Sequence, residues 1–145
     1  MKHLFLLVVL LYSSVVTTLQ ASDVDKIENK IVMNMIHSLS KNQLISIYTD
    51  SQKIKILLTD LEINFVDRCS NADVAILETN KLVKNCKQIP ILTLKYNLLK
   101  VYPSSVASFF WQKGRPNIVF IESRLKSQNI EIDSKFNHFV EESIW

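Results

Sequence analysis

The chain has 145 residues, 48% hydrophobic and 21% charged, with 17 basic and 14 acidic side chains that leave a formal net charge of +3. The two signs are interspersed and no basic run tracks an aromatic series, so a nucleic-acid footprint is excluded and no strong attraction to a membrane surface follows. Gly114 is the single glycine, which excludes the glycine-rich phosphate loops of nucleotide-binding proteins, where the backbone needs positive φ and close approach to the ligand.

Met1–Ala21 reads as a secretory signal peptide. Lys2 supplies a charged start, Leu4–Leu11 (LFLLVVLL) an apolar run, and Ala21 a small residue for cleavage. An uncleaved membrane anchor is the rival reading, because Leu4–Ser22 carries no charge. Thr17, Thr18 and Gln20 disfavour it, since a spanning helix wants about 20 mostly apolar residues. The expectation is therefore a leader over 1–21 and a single exported domain over 22–145, placed in the periplasm.

Asp25–Leu39 is the clearest helix. Val24, Ile27, Ile31, Met35, Ile36 and Leu39 recur at three- and four-residue steps and form one apolar stripe. Leu44–Thr49 (LISIYT) reads as a buried strand. Gln52–Asp60 fits either period, and Ser51 as a cap favours helix. Glu62–Asp67 (EINFVD) is a second strand. Asp73–Glu78 (DVAILE) is a third, apolar on both faces and hence central. Asn80–Cys86 reads as a short helix, and Ile89–Leu94 (IPILTL) as a fourth strand whose early Pro90 is tolerable at a strand start.

Tyr96–Val101 makes one or two helical turns that Pro103 stops. Val106–Gln112 (VASFFWQ) and Asn117–Ile121 (NIVFI) flank Lys113–Pro116 and read as a hairpin. Ser123–Gln128 is a short helix, Ile130–Ile132 is extended, and Ser134–Ile144 reads as a last amphipathic helix. Alternating helices and doubly apolar strands predict a mainly parallel sheet covered on both faces, with the hairpin adding antiparallel edge strands. The fold class is α/β, a Rossmann-like three-layer sandwich without its glycine loop. The connection between the second and third strands is too short for an ordinary crossover helix.

Cys69 and Cys86 are the only cysteines. In an oxidising compartment an even pair reads as one disulfide, with two buried thiols as the alternative. His37 and His138 have no second histidine at ligand spacing, so no metal site is expected. Neither a G-x-S-x-G elbow nor a C-x-x-C pair is present, and the carboxylates at strand ends read as solvated rims. No catalytic residues and no cofactor are expected, and the chain reads as a non-enzyme. The most unusual local chemistry lies in the hairpin. Phe109, Phe110 and Trp111 run consecutively toward Lys113 and Arg115, and alternation puts Phe110 on the opposite face from its neighbours. Phe110, Trp111, Lys113 and Arg115 are the candidate partner surface. The structural alternative is an edge strand whose second face is covered by the last helix.

The segment Cys69–Leu77 (CSNADVAIL), the strand Pro90–Leu94 (PILTL), and the hairpin strand Asn117–Ile121 followed by a short helix and Asn129–Ile132 (NIEI) together form a pattern. It resembles the YfiR/HmsC-like periplasmic regulators over most of the mature chain. Ser104 and Ser105 stand where that family has glycines, and the aromatic-proline lead-in to its first strand is missing. The resemblance implies a Rossmann-like periplasmic protein, able to dimerise, that restrains a membrane-bound diguanylate cyclase by touching its periplasmic domain. The Cys69–Cys86 bond would then be a fold staple with a redox-sensing role. The alternative is a one-lobed receptor for a small anion or metabolite. Such proteins place ligands beyond the carboxyl ends of strands, where Thr49, Asp50, Ser51, Thr79 and Asn80 would lie.

Overall fold

The computed structural model describes residues 23–59, 62–81, 86 and 88–145. The expected leader lies outside the described residues, as does most of the expected helix Asn80–Cys86. Among the described residues no helix is long and apolar enough to cross a membrane.

The first helix, α1, covers residues 23–39. It buries Val32, Met35, Ile36 and Leu39, while Val24 and Ile27 of the same stripe are 41% and 48% exposed. A helix of this length spans about 25 Å, against about 17 Å for a five-residue strand. Its first turns therefore outrun the sheet beneath. Then follow β1 (Ile45–Thr49), α2 (Gln52–Leu57), β2 (Ile63–Phe65), a 3-10 turn (Cys69–Asn71), β3 (Val74–Leu77), β4 (Ile91–Thr93), α3 (Leu98–Val101), β5 (Ser105–Gln112), β6 (Arg115–Ile121), α4 (Glu122–Ser127), a 3-10 helix (Ser134–Phe139) and β7 (Val140–Glu141). Ser51 caps α2 as expected, its Oγ accepting from the Ile54 N–H at 3.3 Å.

The strands form one seven-stranded sheet in the order β2-β1-β3-β4-β5-β6-β7, parallel except for the β5–β6 hairpin. The protein is thus an α/β sandwich with a mostly parallel, Rossmann-like sheet. One face carries α1, α2, Leu125 of α4 and Phe136 of the second 3-10 helix, packed on Ile47, Ile76, Leu92, Phe109 and Phe120. The other face carries α3 and the Cys69–Cys86 region on Ala75, Leu77 and Ile91. Strand β3 is buried at every residue, because a central parallel strand meets apolar cover on both sides.

The short link between β2 and β3 has a simple explanation. Both flank β1, and Phe65 and Val74 are both in register with Ile47. The chain therefore crosses two strand spacings, about 10 Å, with no return along the strand axis. The 3-10 turn Cys69–Asn71 makes that crossing, held by the Val66 N–H on the Ile47 carbonyl and the Asp73 N–H on the Ser46 carbonyl.

Two expectations are corrected. The last amphipathic helix is a 3-10 helix followed by a strand. Phe136 packs on Phe120 with ring centroids 5.1 Å apart, and the chain then straightens so that Val140 and Glu141 pair with Phe120 and Ile121. This pairing satisfies part of the outer edge of β6, which an α-helix would leave open. In turn, β5 and β6 are interior strands and not edges. The hairpin turn itself is only Lys113-Gly114, at φ 50° and 73°, a two-residue connection with both residues left-handed, as strand twist favours.

Cys69 and Cys86 form a disulfide with Cα atoms 5.1 Å apart, and both residues are buried. Arg124 of α4 directs Nη1 at the carbonyls of Leu99, Tyr102 and Ser105, 2.9–3.2 Å away. Burial lowers its pKa from the ordinary guanidinium value.

Candidate functional site

The carboxyl ends of β3, β4 and β5 are uneven. Strand β4 stops at Thr93, opposite Ser108. The Leu94 N–H makes the last rung with the Leu77 carbonyl of β3, and residues 94–97 then bend out of the strand. Strand β5 continues through Phe109–Gln112 beside β6 alone. The hairpin thus overhangs the sheet edge and walls a cleft of about 550 Å³, bounded by Leu94–Asn97 on one side and Phe109–Gln112 on the other.

Glu28 of α1 and Lys53 of α2 close the cleft from one face of the sheet. Glu28 is only 3% exposed. Its Oε2 accepts from Lys53 Nζ at 2.6 Å and from the Trp111 indole N–H at 2.9 Å. One carboxylate therefore ties two helices to β5, and Asn29 adds a bond to the Leu57 carbonyl at 2.8 Å. On the opposite face Phe110 meets the edge of Tyr96, centroids 5.5 Å apart, and Trp145 stacks on Tyr96 at 4.4 Å. Glu78 and Lys95 complete the charged lining.

The expected partner surface is divided by this geometry. Trp111 faces α1 and Phe110 faces Tyr96, so both rings are half-buried and engaged within the chain. Lys113 and Arg115 are exposed at the hairpin tip. Tyr96 covers Phe110, and Ile144 packs against the same cluster from an extended segment and not from a closing α-helix.

The expected ligand residues converge at the neighbouring ends of β1 and β3, the point where the strand order reverses and where ligands sit in open α/β sheets. Here the chain supplies its own anion. The Asp50 carboxylate accepts from the Glu78 N–H at 2.7 Å, from the Thr79 N–H at 3.0 Å and from the Thr79 hydroxyl. Thr49 Oγ1 accepts from the Ser51 N–H at 3.1 Å, and the Ser51 hydroxyl is engaged as the α2 cap. Asn80 is exposed. Tyr102 seals the crevice beneath, its hydroxyl 2.8 Å and 2.6 Å from the carbonyls of Thr79 and Lys81. Burial, and then the Asp50 carboxylate and Tyr48, raise the Tyr102 pKa above the usual tyrosine value. The backbone donors that would hold an external anion are thus largely occupied by Asp50.

Glu28, Lys53 and Tyr96 are absent from the expected site. Glu28 did leave a signal: it stands four residues after Val24 and four before Val32, inside the apolar stripe of α1. His37 and His138 are exposed, and no cluster of three metal-ligating side chains occurs among the described residues. No protein-family model matches the chain, and no curated relative matches it.

Proposed function

We propose that this chain is an exported, non-enzymatic binding protein that regulates a membrane protein by contacting its periplasmic domain, in the manner of the periplasmic repressors of diguanylate cyclases that its sequence resembles. One observation carries the reading. The β5–β6 hairpin projects past the sheet beside a cleft and presents Lys113 and Arg115, neither in an ion pair among the described residues. The buried Cys69–Cys86 bond suits an oxidising compartment.

Crosslinking in the native envelope tests this. Lys113→Glu with Arg115→Glu alters exposed residues only, so the variant should fold normally and lose most of its crosslinked membrane partner. Undiminished capture would reject the surface. A second reading, a receptor for a small metabolite, draws on the cleft volume alone, which falls in the range of ligand pockets. A metabolite panel in thermal-shift format separates the two, since a tight ligand raises the midpoint by mass action.

A further inference from the structure

We infer that the cleft is a strand-addition site, which takes an extended acidic peptide segment of the partner against the free edge of β5. This rests on the binding-protein reading above and names the chemistry of what is bound.

In an antiparallel ladder, successive residues turn N–H and C=O alternately toward and away from the partner strand. Gln112 and Arg115 close the two-residue turn, and Phe110 pairs with Asn117, so these residues direct their main chains at each other. Trp111 pairs with Pro116. Proline has no N–H to give, and it costs the ladder nothing at a position that points outward. The Trp111 N–H and C=O accordingly face the cleft. No backbone or side-chain partner meets them among the described residues, because β4 ends at Thr93 and residues 94–97 bend out of the strand.

The Phe109 N–H belongs to the last rung with Thr93 of β4, so the free edge runs from the Phe109 carbonyl through Trp111 to Gln112, about 10 Å at strand rise, room for a short extended segment in line with β4. The edge is held still. Trp111 is bonded to Glu28, and Phe109 and Trp111 pack edge to face with centroids 6.1 Å apart. An unpaired, rigid strand edge inside a cleft offers main-chain bonds for affinity and flanking side chains for specificity. Charge selects the class of peptide. Lys95 at the rim and Lys113 and Arg115 at the tip are exposed and lack ion-pair partners among the described residues. Glu28 is already paired with Lys53. Glu78 also lines the cleft without an ion pair among the described residues and offsets Lys95, so the surplus is the positive charge of Lys113 and Arg115 at the tip, and the complementary segment is acidic.

The probe is an acetylated, amidated hexapeptide of alternating glutamate and valine, added to the oxidised protein. Its binding should slow hydrogen exchange of the Trp111 amide at least tenfold and shift the Trp111 indole resonance. Two N-methylated versions give the decisive comparison. Methylation of alternate amides on one edge of the peptide should weaken binding at least tenfold, and methylation on the other edge should leave it unchanged. Unaltered Trp111 exchange, or equal weakening by both patterns, would overturn strand addition. The two proposals fail separately. Envelope capture that depends on Lys113 and Arg115, with no edge-specific effect, removes strand addition alone. Edge-specific peptide binding with no membrane partner in the envelope removes the regulatory reading alone.

Discussion

Replacing Asp50 should cost stability that an added anion restores. Its carboxylate accepts from two backbone N–H groups and one hydroxyl. Hydrogen bonds to a charged group are worth about 1.5–3 kcal/mol each. Asp50, Glu78 and Thr79 are only half-buried, so water will replace part of what is lost. A net cost of about 3 kcal/mol for Asp50→Ala follows, or roughly 10 °C in midpoint for a domain of this size. The variant leaves the Glu78 and Thr79 N–H groups aimed at an empty space shaped for an oxyanion. Phosphate or sulfate should therefore raise the variant's midpoint in a saturable way and leave the wild type nearly unmoved. Differential scanning fluorimetry across an anion series, at constant ionic strength, reads both effects. A loss below about 0.5 kcal/mol, the range of surface substitutions without a special role, would refute the claim that Asp50 closes the strand-order reversal. An identical anion response in both proteins would refute the claim that it stands in for a ligand.

Three further outcomes follow from the same geometry. Glu28→Ala strands the Trp111 indole N–H and frees Lys53, and should cost about 2–4 kcal/mol in chemical denaturation. Lys53→Ala, at a half-exposed ammonium, should cost less, and equal costs would mean that the ion pair to α2, and not the indole bond to β5, carries the loss. Replacing Cys69 and Cys86 together by alanine should cost roughly 3 kcal/mol on the chain-entropy account, with no loss in a reducing buffer beyond that of the double variant. Tyr102 keeps its proton in the folded chain at a pH where an unfolded tyrosine, at about 10, has released it. Its contribution is therefore complete below about pH 10 and is lost as pH rises through the higher folded value. Tyr102→Phe should flatten that alkaline decline, and an unchanged slope would show that other groups cause it.

Much of the architecture was legible from local pattern. The stripe of α1, the fully apolar β3, Ser51 as a cap and the lone Gly114 between two β-rich runs are each short-range signals, and each corresponds to an observed element. The last segment misled because Phe136 and Phe139 are three apart, a spacing that suits both an α-helix and a 3-10 helix. What decided between them was the unpaired edge of β6, a neighbour distant in sequence.

The candidate site was legible only in pieces. Trp111, Lys113 and Arg115 stood out by composition, and Asp50 and Thr79 by their place at strand ends. Local sequence determined which segments are helix or strand and which residues face a core, because those depend on periods of a few residues. Only the tertiary structure decided that β5 outruns β4, that Glu28 joins Lys53 and Trp111, and that Asp50 fills its own crevice. Those outcomes depend on where strands end relative to one another and on side chains 25 to 83 residues apart, and such distances leave no periodic trace in the chain.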